Sequence, residues 1–141
     1  MSWSAGEQAR RLHGLVRHGR VTAVDPGRAR ARVSLGGETE TAWLPWTGGR
    51  AGSIREWAPV TVGEQVVVLS PGGETGQGVI AGSLFSAAHA APSNDGAAHR
   101  LELGGSSITM TGDAITLQSN GSSLTLDAAG IRLNGARIDL N

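Results

Sequence analysis

Residues 101–141 read LELGGSS ITMTGDA ITLQSNGSS LTLDAAG IRLNGAR IDLN, which is six copies of one short unit. Each copy opens with an apolar, a polar and an apolar residue, and consecutive copies begin seven residues apart except for one step of nine. Glycine-containing corners separate the openings. A repeat of this regularity is typical of short strands stacked along an axis.

The repeat also indicates how these strands are covered. Because side chains alternate between the two faces of a strand, both apolar residues of a copy share one face, which a copy this short cannot bury by itself. The sequence therefore predicts an intertwined, homotrimeric, triple-stranded β-helix in which each strand lies between strands of its two neighbours. The predicted trimer core is Leu101, Leu103, Ile108, Met110, Ile115, Leu117, Leu124, Leu126, Ile131, Leu133, Ile138 and Leu140. The residues predicted to face solvent are Glu102, Thr109, Thr116, Thr125, Arg132 and Asp139.

The middle of the chain, residues 19–86, alternates with period two between turn residues, which predicts an all-β domain. The clearest strand is residues 28–35, where Ala31 and Val33 fall on one face and Arg30 and Arg32 on the other. Further strands are predicted at residues 21–24, 60–62, 65–69 and 78–84. Short strands in so few residues favour a small closed or nearly closed barrel of the OB type.

The N-terminal segment, residues 1–18, carries the helical pattern of the chain, which runs over residues 4–17. Ser4 and Glu7 have the spacing of a capping box, in which each side chain bonds a free backbone N–H group of the first turn. The helix either packs on its own domain or docks on a neighbouring copy or partner. Residues 87–99 are predicted to be a linker, and residues 100–141 are predicted to form the triple-stranded β-helix.

The composition narrows the possible functions. Twelve acidic and twelve basic residues give a formal net charge of zero, so no long-range field attracts nucleic acid or an anionic membrane. The chain has no Cys, which excludes disulfides and thiolate metal sites. It shows neither a secretory signal nor an apolar stretch of membrane-spanning length, so we expect a soluble product made in the cytoplasm.

Two stretches of the middle segment carry a family resemblance: residues 41–46, TAWLPW, and residues 57–73, WAPVTVGEQVVVLSPGG. Together with the helix before them and the repeats after them, they resemble the baseplate assembly protein V family of contractile-tailed phages, also found in R-type pyocins. The resemblance implies an OB-fold domain that trimerises and attaches to the tail hub. It also implies a β-helical spike that meets the bacterial outer envelope when the sheath contracts.

One feature departs from this family. Its spikes often end in an apex where a His-x-His motif from three chains holds an iron ion, whereas this chain has no His after His99. We therefore predict no metal and no other cofactor. A separate tip protein, a shortened chain or a blunt end then takes the place of the apex.

The tryptophans of the middle segment could form a platform on which the bases of single-stranded nucleic acid stack; they are Trp43, Trp46 and Trp57. The balanced charge and the nearby Pro45 and Pro59 favour packing under a loop or at the trimer interface instead.

The stripe formed by Arg28, Arg30 and Arg32 is compatible with phosphate binding. We interpret it as a solvated strand face, or as arginines that pair between subunits with Glu38 and Glu40 across a hairpin.

Catalytic and metal patterns are weak. His13, His18, His89 and His99 lack the spacing of a metal motif, and no Ser lies in a GxSxG turn. The glycine-rich stretch at residues 72–78 does not contain the lysine that a phosphate-binding loop requires; its glycines are Gly72, Gly73, Gly76 and Gly78. We therefore predict no catalytic residues and no enzyme.

The predicted function is the central spike of a contractile phage tail or tail-like particle. We expect it to be assembled in the host cytoplasm and located in the virion at the tail baseplate, where it binds hub and baseplate proteins. When the sheath contracts, it is expected to pierce the bacterial outer membrane. One alternative is an OB-fold nucleic-acid-binding module with a trimerising tail. A second is an envelope-degrading enzyme, for which the linker leaves too little chain. The spike of a bacterial secretion machine remains a related possibility.

Overall fold

The computed structural model describes residues 4–141, so the first three residues of the predicted helical segment 1–18 lie outside the described residues. The chain divides into two compact units, Met1–Ala90 and Ala91–Asn141. Apart from one short α-helix and three single-turn 3₁₀ helices, the regular structure of residues 4–141 consists of β-strands. The prediction of an all-β protein with a short N-terminal helix is confirmed.

The helix α1 runs over Ala5–Leu15, with Ser4 as its N-cap. The backbone N–H of Glu7 donates to the Ser4 hydroxyl oxygen (3.2 Å), which is one half of the predicted capping box. The Glu7 carboxylate does not complete the box, because it accepts hydrogen bonds from Arg10 and Arg11 instead. The predicted helical stretch 4–17 is also too long, since Val16 already belongs to the first strand, where it pairs with Leu69.

The helix meets the barrel through a glycine contact. Gly14 is the buried residue of α1, and a Cβ atom placed on it would lie 2.6 Å from the carbonyl oxygen of Gly73. The guanidinium of Arg11 donates to the carbonyl oxygen of Gly72 (3.2 Å) and lies 3.6 Å from the Glu74 carboxylate. Absence of a side chain at Gly14 therefore allows the helix backbone to approach the Pro71–Gly73 turn closely.

The Arg10 and Arg11 guanidinium groups hold the pKa of Glu7 at about 2, below its ordinary value of 4.5. A lowered pKa stabilises the folded form above pH 4.5, and this stabilisation is lost as the pH falls from 4.5 through 2. We expect amide-exchange protection of α1 to decrease over that range, with an NMR titration midpoint for Glu7 near 2. In Glu7→Gln the protection of α1 should lose this pH dependence. A Glu7 midpoint above 4 would contradict the hydrogen-bonded arrangement.

The first unit is a small barrel. Its strands are β1 (Val16–Asp25), β2 (Arg30–Gly36), β3 (Thr39–Glu40), β4 (Leu44–Pro45), β5 (Gln65–Leu69) and β6 (Val79–Leu84). They pair in the order β3-β2-β1-β5-β6, and β4 also pairs with β2. A parallel bridge between Trp46 and Ile80 joins the end of β4 to β6, which closes the circuit of strands.

The barrel encloses an aliphatic core. Ala31 and Val33 on β2 and Val66 and Val68 on β5 have no exposed surface, so the alternation predicted for these strands is confirmed. The other buried apolar residues are Val21, Leu35, Leu44, Val60 and Ile80. Trp46 is partly buried and packs against this core.

One strand prediction in this unit is wrong, and another begins two residues too early. Residues 60–62 form no strand, because a turn closed by the Glu64 N–H and the Thr61 carbonyl (3.1 Å) begins there, although Val60 does reach the core. The strand predicted at 28–35 begins only at Arg30. Asp25 caps a 3₁₀ turn that continues through Arg28, and Ala29 then takes a left-handed conformation.

The second unit is one antiparallel sheet of consecutive hairpins. It consists of β7 (His99–Leu103), β8 (Ser106–Met110), β9 (Ala114–Ser119), β10 (Ser122–Asp127) and β11 (Gly130–Asn134), paired in chain order. Gly104 and Gly105 form one two-residue turn, and Asn120 and Gly121, both with positive φ, form another.

This pairing differs from the predicted intertwined triple-stranded β-helix. The inner strands β8, β9 and β10 are hydrogen-bonded on both edges by strands of their own chain, not by neighbouring chains. The strands have five or six residues instead of three, and the sixth copy, residues 138–141, forms no strand. Turns of two or three residues fold each strand back onto the preceding one, which produces hairpins within the chain.

Candidate functional site: the apolar face of the C-terminal sheet

The register of the second unit collects apolar side chains in rows across the strands. Directly opposed residues of an antiparallel sheet point to the same side, so each row lies on one face. The first row is Leu101, Ile108, Leu117, Leu124 and Leu133. The second row is His99, Met110, Ile115, Leu126 and Ile131. We call the face that carries both rows the apolar face.

The structure thus brings ten of the twelve predicted core residues together on this face, with Leu103 at its margin opposite Ser106. Ile138 and Leu140 lie beyond β11 and outside the sheet. These two residues follow the last hairpin and have no strand partner in the chain. Only the repeat pattern predicts that they belong to the core.

The apolar face is uncovered in the single chain. No residue of Ala91–Asn141 is buried. The exposed side chains of the face range from Leu126, with 39% of its surface exposed, to Leu103, with 84%. Soluble monomeric proteins rarely leave so large a continuous apolar surface open to water, so the face is a candidate interaction surface.

The opposite face of the same sheet is polar and internally paired. Thr109, Thr116 and Thr125 lie side by side along its centre. Arg100 forms an ion pair with Glu102 (2.8 Å) and donates to the Thr109 hydroxyl (2.9 Å). Among the residues predicted to face solvent, Asp139 is the one outside the sheet, where it forms an ion pair with Arg137 (2.9 Å).

At the β11 side of the polar face, Arg132 and Asp127 form an ion pair of 2.7 Å. Hydrogen bonds from the Arg132 guanidinium hold the pKa of the Asp127 carboxyl below its usual range. The charges of this face are thereby satisfied within the chain, which suits a surface that remains in water.

Sequence reasoning missed the serines and the histidine on the apolar face. Ser106, Ser119 and Ser122 form a third row beside Leu103, and the hydroxyls of Ser106 and Ser119 are 2.7 Å apart. His99 belongs to the second row, opposite Met110. The repeat predicts three strand residues per copy, whereas the period-two alternation continued over five residues places these positions on the apolar face.

Two tryptophans of the first unit, Trp46 and Trp57, form an aromatic pair beside the barrel. The Trp46 and Trp57 rings are 5.7 Å apart between centroids and tilted by 51°. Trp57 remains 63% exposed, and the Arg32 guanidinium lies 5.9 Å from the Trp43 ring centroid. Pro45 is half-buried in β4, whereas Pro59 is exposed. The structure therefore brings Trp46 and Trp57 together and leaves Trp57 open to a further contact.

Two of the three arginines of the predicted stripe have carboxylate neighbours. Arg32 lies 3.7 Å from Glu40 of its own chain, and Arg28 lies 3.7 Å from Asp25, while the pairing between subunits stays a prediction. The guanidinium of Arg30 donates to the carbonyl oxygens of Arg28 and Ala29. These contacts occupy part of the basic surface that a phosphate would need.

Among residues 4–141, no group of three or more His, Cys, Asp or Glu side chains is arranged to hold a metal ion. The absence of a cofactor stays a prediction. Within the same described range, no helix has the length and apolar character needed to cross a membrane.

Two comparisons relate the chain to known proteins. Residues 17–85, which contain most of the barrel, match the family described as the type VI secretion system/phage-baseplate injector OB domain. The spike protein of Escherichia phage P2 is 34% identical to the chain over 116 residues. That alignment covers 75% of this chain and 54% of the P2 protein, so the chain matches about half the length of this relative. The expectation of an OB-type barrel is confirmed.

Proposed function

The chain belongs to the baseplate assembly protein V family through its OB domain at residues 17–85, and on this premise we propose that it is the central spike of a contractile tail or tail-like particle. In this proposal the first unit attaches to the tail hub and baseplate in the virion. The second unit forms the homotrimeric spike that pierces the bacterial outer membrane when the sheath contracts. The role is mechanical and does not involve catalysis, a cofactor or nucleic acid.

The observation that supports this proposal is the uncovered apolar face. Transfer of apolar surface out of water contributes roughly 25 cal/mol per Å², and the single chain leaves most of this face in water. Copies of the sheet packed with their apolar faces together would gain that contribution. The Thr-rich, ion-paired faces would then form the outer surface of the spike.

The resemblance to spikes of this family supports three copies. Three sheets around one axis, each turning its apolar face inward, give a closed interior in which the strands are already hydrogen-bonded within their own chains. This arrangement keeps the trimer of the predicted β-helix and replaces its intertwined strand pairing. A rod with such a filled interior is stiff, because close-packed apolar cores have low compressibility.

The proposal is tested first by the native mass of the purified full-length protein. We expect three times the chain mass of 14.4 kDa. A monomer or a dimer would contradict it, since a dimer would cover the face as a two-sheet sandwich. On particles that carry the protein, immunogold labelling with an antibody against the purified chain is expected at the baseplate end of the tail. Labelling elsewhere on the particle would contradict the assigned location.

A further inference from the structure

The connection between β4 and β5 forms a projecting loop on the barrel, and we call residues 47–59 the β4–β5 loop. All of these residues are exposed. An antiparallel bridge joins Ala51 to Arg55. The backbone N–H of Glu56 also donates to the Arg50 carbonyl oxygen (3.0 Å), so the loop is a hairpin of defined shape. A loop that is already held in one conformation loses little entropy on binding, which suits a recognition surface.

Two large apolar side chains of this loop are left in water. Ile54 lies at the tip of the hairpin, next to the bridged Arg55, and is 73% exposed. Trp57 is 63% exposed, although one side of its ring faces Trp46, which packs on the barrel core. The Trp57 indole N–H has no hydrogen-bond partner among residues 4–141. A side chain with an apolar ring and a free N–H is enriched at membrane–water interfaces, where both parts find suitable surroundings.

The apolar tip is flanked by positive charge. Arg50 and Arg55 lie on either side of Ile54 in the sequence, and neither forms an ion pair within the part of the chain that the structure describes. The Glu56 carboxylate lies against Gly49, 2.7 Å from the position that a Cβ atom would take there. Two arginines and one glutamate give the β4–β5 loop a net charge of +1. Because the whole chain is neutral, this charge acts locally, within a Debye length of about 10 Å.

We propose that the β4–β5 loop binds the surface of an anionic phospholipid bilayer. Ile54 and the Trp57 ring enter the boundary between headgroups and acyl chains, while the two arginines contact the headgroup phosphates. Phosphate and ester oxygens accept hydrogen bonds from the indole N–H and from both guanidinium groups at every point of the headgroup layer, so the loop needs no shaped pocket.

This inference goes beyond the proposed function, because it assigns a lipid contact to the first unit that is separate from the apolar face of the second. In the proposed spike, the contact would hold the first units at a bilayer that the spike has reached. It does not require three copies, although three loops on one particle would strengthen binding through avidity.

The test measures how the purified full-length protein sediments with vesicles. One set of vesicles contains phosphatidylglycerol and phosphatidylcholine in equal parts, and the other contains phosphatidylcholine alone. Ile54→Ser removes the apolar tip, and Leu12→Ser is its matched control, since Leu12 is 68% exposed in the same unit. Arg55→Gln removes one positive charge, and its control is Arg20→Gln, because Arg20 is also exposed and forms no ion pair within residues 4–141. Native mass and the urea unfolding midpoint are measured for every variant.

We expect the parent protein to bind the anionic vesicles and to bind phosphatidylcholine roughly fivefold or more weakly. Ile54→Ser should weaken binding to the anionic vesicles by about tenfold or more, which corresponds to the loss of one apolar side chain transferred out of water. Arg55→Gln should weaken it by about fivefold, the contribution of one basic residue near an anionic surface, and added salt should reduce this difference. Both controls should bind like the parent protein.

Three outcomes would overturn the inference. The first is that the parent protein does not bind the anionic vesicles. The second is binding that Ile54→Ser and Leu12→Ser change equally, which means that another surface, such as an uncovered apolar face of the second unit, carries it. The third is loss of Ile54→Ser from assembled particles without any vesicle binding, which means that the β4–β5 loop fits a protein partner. A monomeric parent whose vesicle binding depends on Ile54 would contradict the proposed trimeric spike and support the lipid contact.

Discussion

Replacing Leu126 by Asp is expected to convert the trimer into a monomer while leaving the first unit folded. Leu126 lies in the second row of the apolar face, opposite Ile115 and Ile131. In the proposed spike the change places three carboxylates in an apolar interior. An uncompensated buried charge costs about 3–5 kcal/mol, so three cost roughly 9–15 kcal/mol. That cost is comparable to the association free energy of a nanomolar complex, about 12 kcal/mol.

The matched control is Thr125→Asp, the neighbouring residue on the same strand. Thr125 points to the polar face, where it lies opposite Arg132, so a carboxylate there remains in water beside a guanidinium. Size-exclusion chromatography with light scattering should give a monomer for Leu126→Asp and a trimer for Thr125→Asp. In a particle that depends on this protein, Thr125→Asp should support infection and Leu126→Asp should not. A trimeric Leu126→Asp would show that the apolar face does not form the interior.

Replacing Leu44 by Ala is expected to lower the free energy of unfolding of the first unit by about 2–5 kcal/mol, the cost of truncating a buried leucine. Leu44 is 1% exposed and lies on the two-residue strand β4, where it pairs with Ala31. Domains of this size are stable by only about 5–15 kcal/mol, so the change removes a large share. Urea unfolding followed by tryptophan fluorescence measures it, because Trp46 packs against the core.

Ile54→Ala is the control for Leu44→Ala. The side chain of Ile54 is 73% exposed, and truncations at such positions change stability by about 0.5 kcal/mol or less. Equal unfolding midpoints for the two variants would mean that β4 does not complete the barrel. The outcome bears on function as well, since the matched family domain at residues 17–85 includes this strand.

The alternation of β2 and β5 could be predicted from the sequence because side-chain direction reverses at every residue of a strand. The residue at which α1 ends could not be predicted in this way. Residues 16 and 17 continue the helical pattern, but Val16 gains a backbone partner in Leu69, more than fifty positions away, and the ladder wins over local propensity. The buried side of the helix was equally inaccessible, since it depends on the close approach of Gly14 to Gly73.

In the candidate site, the amino-acid pattern by itself determined that residues 101–133 form strands with one apolar and one polar face, because a period of two leaves no other assignment. The tertiary structure decided which strands pair. Turns as short as Asn120–Gly121 return the chain onto itself, so the hairpins close within one copy and the backbone needs no neighbour. The tertiary structure also decided that the barrel closes through Trp46 and Ile80. Strand register depends on turn geometry as well as on the hydrophobic pattern, and the period of one segment does not show which turns close or which distant residues meet.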